Sequence, residues 1–293
     1  MLLPYFHAKP LLVRTLLLLC SLTLAVQASA QAITQPVSAR YLGVFAYSDQ
    51  QGDAFAARVN PASLAGLQQS QAGAYAERRF MLQDLNLFQG AVALRTNSGT
   101  FGLHAGYFGF SQSNQSALSL SYGRRVGKII DVGASFHYQQ LSQASIYGSA
   151  NAITGSAGIL LHLGSRVHAG ASVYNPIRAS WGGTQEERLP MRYGFGLGMD
   201  VSDQLFLGTE IIKEENLPID VQAAIHYRFL PQFFVRAGVA TQTSNLFAAL
   251  GFNLPAFRID IATSYHQQLG WSPGVLLLAR FGKSKPDTQA PQP

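Results

Sequence analysis

Five histidines stand out as residues that could do chemistry: His137, His162, His168, His226 and His266. None sits at the i, i+4 spacing with glutamate that makes a zinc-binding helix. Brought together by folding, they could hold a metal or pass a proton. The simpler reading is a hydrogen-bonded network that satisfies buried arginines and carboxylates. Gly270-Trp271-Ser272-Pro273-Gly274 spells G-x-S-x-G, the turn that presents a hydrolase serine. That turn needs a backbone N–H directly after the serine and a helix beyond it. Here Pro273 has no N–H, and VLLLARF continues as a strand, so the segment reads as a loop entering the last strand.

Two further patterns concern shape rather than reaction. Gly194, Gly196 and Gly198 lack the strand-to-helix turn of a dinucleotide site. Their strict period of two puts them on one face, a smooth wall that another segment or a ligand can approach closely. Asn60-Pro61-Ala62 occurs once, in a chain with no spanning helix, so a water-channel reading fails. No catalytic residue, no metal and no cofactor is expected.

The elements that carry these residues are alternating strands. Ile219, Val221, Ala223, Ile225, Tyr227 and Phe229 alternate with a set that includes Asp220, Gln222, His226 and Arg228. Phe257, Ile259, Ile261 and Tyr265 alternate in the same way with Arg258, Asp260, Ser264 and His266. Val275, Leu277, Ala279 and Phe281 form one row of the final strand. Successive side chains point to opposite faces, so each strand has an oily face and a charged one.

Composition decides which face meets what. Charged residues are 12% of the chain, about half the share of a soluble domain. With 28 glycines and no apolar run long enough for a spanning helix beyond the N-terminus, the chain reads as a membrane β-barrel. That fold also satisfies every backbone group within lipid. A charge on the lipid face at the bilayer midplane costs about 2–4 kcal/mol, so the charged rows should face inward. The inward set includes Asp131, His137, His168, Arg192, Glu210 and Asp220, and then His226, Arg228, Arg236, Arg258, Asp260 and His266. Tyr107, Tyr122, Tyr138, Tyr193, Tyr227 and Tyr265 fall near strand ends, where aromatic girdles form.

Residues 1–30 read as a secretory signal: Lys9 and Arg14, the apolar LLLLCSLTLAV, then Ala28-Ser29-Ala30. Cys20 lies within it, which leaves the mature chain without a disulfide or thiolate site. The mature charge is +4, since 19 basic residues face 15 acidic ones once Lys9 and Arg14 are removed. These are scattered and give no nucleic-acid footprint. Residues 31–70 do not alternate and read as an N-terminal plug for the lumen. Residues 71–281 divide into about fourteen strands, an even number as in bacterial barrels. Tight connections at 97–98, 126–127, 164–165, 201–202, 230–231 and 254–255 alternate with several longer, more polar ones, including LSQASIYGSANA and NPIRASWGGTQEER. That alternation puts both chain ends in the periplasm of a Gram-negative outer membrane. Residues 282–293 read as a disordered periplasmic tail.

Two stretches carry a family likeness. Ala39-Arg40, Gly43 and the run from Asn60 through Pro61 and Ala62 to Ala65 resemble the opening of outer-membrane barrels related to the long-chain fatty acid transporter. The likeness is to the Bacteroidetes branch that includes PorV and PorQ of type IX secretion. Gly274 to Phe281 resembles the terminal-strand signal read by the barrel-assembly machinery. The resemblance implies a fourteen-stranded barrel with an N-terminal hatch in contact with outer-membrane lipid. It further implies a non-enzymatic, partner-binding component associated with secretion or surface assembly. The alternative is a passive, FadL-like channel for small, hydrophobic molecules. The outer loops lack the long lid segments that build a fatty-acid entry groove.

Overall fold

The computed structural model describes residues 43–143, 148–183, 188–241 and 245–282. The expected signal, the first part of the expected plug and the expected tail lie outside them. Fourteen strands follow one another: β1 (Ser70–Arg78), β2 (Asn86–Thr96), β3 (Gly99–Phe110), β4 (Ser113–Val126), β5 (Ile130–Gln143), β6 (Ser149–His162) and β7 (Val167–Tyr174), then β8 (Arg192–Asp200), β9 (Leu205–Glu214), β10 (Asp220–Arg228), β11 (Phe233–Ala240), β12 (Asn245–Asn253), β13 (Phe257–His266) and β14 (Gly270–Phe281). Each pairs antiparallel with its sequence neighbour, and β14 closes onto β1 from Ser70 opposite Phe281 to Glu77 opposite Gly274. Closure leaves no sheet edge unpaired, as a spanning barrel requires. No helix among the described residues is long and apolar enough to cross a membrane.

The alternation resolves as expected. Leu103, Leu120, Phe136, Leu197, Ile211, Ile225, Leu250, Ile261 and Leu277 are exposed on the outside. Asp131, His137, Arg192, Glu210, His226, Arg236 and Asp260 are buried on the inside. Outside the barrel that apolar surface would face water at high cost, and in hydrocarbon it costs nothing. Aromatic rings gather at both rims: Tyr122 against Phe101 near one end, Tyr265 against Trp271 near the other.

Connections at 97–98, 127–129, 163–166, 201–204, 229–232 and 254–256 are all short and share one end of the barrel. The opposite end is less uniform than expected. It holds the long 175–191 connection but also a two-residue turn at 111–112. LSQASIYGSANA is mostly strand rather than loop, because β5 and β6 continue their ladder as far as Ser142 opposite Ser149. Trp181 and Leu189, on either side of residues 184–187, pack with Ala152. Asn175 sustains this with a left-handed backbone (φ 55°). Its side chain accepts from Thr154 Oγ1 and the Ala179 N–H, and donates to the Leu189 carbonyl.

Residues 43–67 fill the lumen toward the tight-turn end. They form three short 3-10 turns, Val44–Tyr47, Ala56–Arg58 and Pro61–Gly66, whose apolar residues are buried. The wall accepts them through glycine. A Cβ at Gly196 would lie 2.1 Å from the Tyr47 ring, and one at Gly133 would lie 2.3 Å from the Pro61 carbonyl carbon. The glycine row Gly194, Gly196 and Gly198 is therefore the seat of Tyr47.

Candidate functional site: a plugged lumen with two unlike walls

The Asn60-Pro61-Ala62 motif is the plug's anchor. Asn60 is fully buried, and its Oδ1 accepts from the Ala62 N–H at 3.0 Å, capping the turn that Pro61 starts. Its Nδ2 donates outward to the wall, to the carbonyls of Ile159 (3.2 Å) and Ala171 (3.4 Å). One side chain thus ends the plug's irregular stretch and ties it to β6 and β7.

From β4 to β9 the inner wall is ionic. Arg125 donates to both Asp131 oxygens (2.7 and 2.9 Å) and to Asp49 of the plug (2.7 Å). Asp131 also meets His162 Nε2 at 2.8 Å, and His162 Nδ1 lies 2.8 Å from His168 Nδ1. Two ring nitrogens at that distance must share a proton, one ring donating and the other accepting. His168 Nε2 continues to Asp200 at 3.1 Å, and Asp200 accepts from Ser48 of the plug at 3.0 Å. The chain of contacts therefore leaves the plug at Asp49 and returns to it at Ser48. His137 forms a separate cluster between Ser119 Oγ (2.8 Å) and Ser156 Oγ (2.9 Å). Glu210 accepts from the Tyr47 hydroxyl at 2.8 Å, and Arg192 lies over the Tyr174 ring.

The remaining expected residues are dispersed. Asp220 is held by Gln222 and Thr241. Arg236 donates to His226 Nδ1 (3.1 Å) and stacks on Phe45 and Phe234. Arg258 bridges Asp53 of the plug (2.6 Å) and Asp260 (3.1 Å). Arg228 sits at the tight-turn rim and donates to the Asp203 carbonyl. His266 does not join the lumenal network. It lies at the other rim, where its Nδ1 accepts from the N–H groups of Gln268 and Leu269 and so caps the β13–β14 turn. Alternation gives the face of a strand but not the depth, so the inward row that holds Arg258 and Asp260 ends in His266 at the rim. Gly274 faces inward against Tyr75, and Phe281 ends β14 on the outside.

Sequence reasoning did not single out Arg125, Asp200, Asp49, Asp53 or Tyr47. Asp200 continues the inward row of Gly194, Gly196 and Gly198, and Arg125 continues that of Ser119, Ser121 and Gly123, so both were legible by period. The plug residues have no period to read. Oxygens of Asp49 and Asp131 and a nitrogen of His162 lie within 4.8 Å of one another, a spacing that could hold a metal. The Arg125 guanidinium already bonds all three groups, so their charge is answered by an arginine. Ser272 lies inside β14 rather than in a loop, and its Oγ accepts the Phe80 N–H at 2.9 Å. No nucleophile elbow exists there.

The opposite wall, from β12 through β14 to β2, carries an apolar patch on its inside as well as its apolar outside, beside the inward Arg258 and Asp260. Phe247, Ala249, Ala262, Leu276, Leu278, Tyr75, Leu87, Ala91 and Ala93 form one cluster with Phe55, Leu64 and Leu67 of the plug. Here the plug is mainly packed, with two polar ties: the Ala54 N–H donates to Gln71, and Asp53 pairs with Arg258 of β13.

These features define a class: a closed fourteen-stranded barrel whose own N-terminal segment occupies the lumen. No protein-family model matches the chain, and no curated protein does. Solved structures share the fold. CymD, titled a monoaromatic hydrocarbon channel, superposes with a TM-score of 0.57 at 13% identity, covering 79% of this chain and 94% of its own. The toluene transporter TbuX of Ralstonia pickettii gives 0.55 at 14% identity, covering 78% and 94%. A FadL homologue of Pseudomonas aeruginosa gives 0.53 at 14% identity, covering 77% and 92%.

Proposed function

We propose that this chain is a passive, non-enzymatic, FadL-like channel of the outer membrane for small hydrophobic molecules. The observation that carries this reading is the apolar cluster that β12–β14, β1 and β2 form with Phe55, Leu64 and Leu67 of the plug. An apolar solute gains there about 25 cal/mol for each Å² it removes from water. The solved proteins that share this fold, a monoaromatic hydrocarbon channel and toluene transporters, favour this reading over a secretion-associated one of PorV or PorQ type. Within it, the tight-turn end, where β1 begins and β14 ends, faces the periplasm.

Uptake of radiolabelled toluene by intact Gram-negative cells tests it, because the lipopolysaccharide leaflet is the barrier such a channel relieves. Cells carrying the barrel should take up toluene faster than cells without it, with uptake of a hydrophilic sugar unchanged. Equal toluene uptake, with the barrel inserted and heat-modifiable on gels, would overturn the reading.

A further inference from the structure

At the tight-turn end, a cavity of about 200 Å³ lies between the plug and the wall, bordering the apolar cluster at Leu67. Arg228, Arg236, Arg258 and Arg280 line it, because each occupies an inward position near that end of β10, β11, β13 and β14. Arg258 is neutralised by Asp53 and Asp260, and Arg236 is held by His226 and two aromatic faces. Asp49 also lines the cavity, and it is bonded to Arg125.

Arg228 and Arg280 differ from these. Each is tethered by a neutral acceptor, Arg228 by the Asp203 carbonyl (2.7 Å) and Arg280 by the Leu254 carbonyl (2.9 Å). Among the described residues, neither has a carboxylate at ion-pair distance. A tether through a carbonyl fixes a guanidinium without cancelling its charge, and the free edge of the fork suits a bidentate oxyanion. The volume equals that of about six or seven waters at ~30 Å³ each, room for an anionic group on a small body. A cation would meet like charge.

We propose that this cavity binds a small oxyanion, a carboxylate or phosphate group, gripped by Arg228 and Arg280 at the tight-turn mouth. The site does not depend on the channel reading, since it would bind equally in a barrel that conducts nothing.

Titration of the purified full chain in a non-ionic detergent at low salt tests it, with inorganic phosphate and benzoate as probes and calorimetry as the readout. Saturable binding of at least one probe is expected. Phosphate alone would mark a phosphate site, benzoate alone a carboxylate site, and both a general oxyanion site. The double variant R228Q/R280Q should weaken binding about ten- to hundred-fold while remaining heat-modifiable. R178Q, at the opposite end and 55% exposed, should bind as the parent does. If R228Q/R280Q fails to insert, R228K/R280K serves instead: it keeps the charge, loses the fork, and should bind measurably more weakly. Absence of saturable binding by both probes, unchanged affinity in the arginine variants, or equal weakening in R178Q would overturn the proposal.

Discussion

The two inner walls hold the same plug by different physics. Along β4–β9 the grip is ionic and directional: Asp49, Arg125, Asp131, His162, His168, Asp200 and Ser48 form one run of contacts that begins and ends on the plug. Along β12–β14, β1 and β2 the grip is mainly side-chain packing, with Phe55 and Leu67 in one cluster with Leu276, Leu278 and Tyr75, beside the ion pair of Asp53 with Arg258. Ionic contacts in a low-dielectric interior are costly to break singly and fix one geometry. Apolar contacts are non-directional, and a solute of similar character can replace them at little net cost. The difference teaches where a plugged barrel can yield without unfolding: at the packed residues around Phe55 and Leu276, while the ion pairs, Asp53 with Arg258 included, keep the plug tethered.

That contrast can be broken at several strengths. Asp131→Ala should have the largest effect, about 3–5 kcal/mol of stability, because a fully buried carboxylate is removed from Arg125 and His162 together. Urea unfolding in micelles reads it, and an unchanged midpoint would show that the ionic wall contributes nothing to the hold. Leu276→Ala, fully buried in the packed wall, should cost about 2–4 kcal/mol through lost burial and a residual cavity. It should also speed toluene uptake, whereas Asp131→Ala acts on stability. Asn60→Ala should cost about 1–2 kcal/mol as a lost cap, and limited proteolysis should then cut the 43–69 segment more readily. Arg178→Ala, which removes an exposed pair with Glu215, should change the unfolding midpoint by less than about 0.5 kcal/mol.

The barrel was legible because successive side chains of a strand point to opposite faces, which separates a charged row from an apolar one on most of these strands. Fourteen strands could be counted, and the row Gly194, Gly196, Gly198 marked a close approach before its partner Tyr47 was known. What period could not supply was the plug's side of each contact. Asp49 and Asp53 sit in irregular chain, so their pairing with Arg125 and Arg258 had no signature. The apolar inner wall escaped for a different reason. Inward rows were taken as polar, as they are when a lumen is filled with water. Leu276 and Leu278 face inward but meet protein, so the rule that exposes charge to water does not apply to them. The PorV-like reading rested on short end motifs, Asn60 to Ala65 and Gly274 to Phe281. Those motifs seat a plug and end a barrel, and both tasks are shared by barrels of many functions.

The most direct test compares a block placed in each wall. Ala262→Phe fills space in the packed wall, and Ser135→Phe adds the same bulk to the ionic wall, both positions being buried and inward-facing. Toluene uptake by intact cells is measured for each variant, after heat-modifiability confirms that both barrels have inserted. The account predicts that Ala262→Phe abolishes the barrel-dependent uptake while Ser135→Phe leaves most of it. Equal loss in both, or loss only in Ser135→Phe, would contradict it.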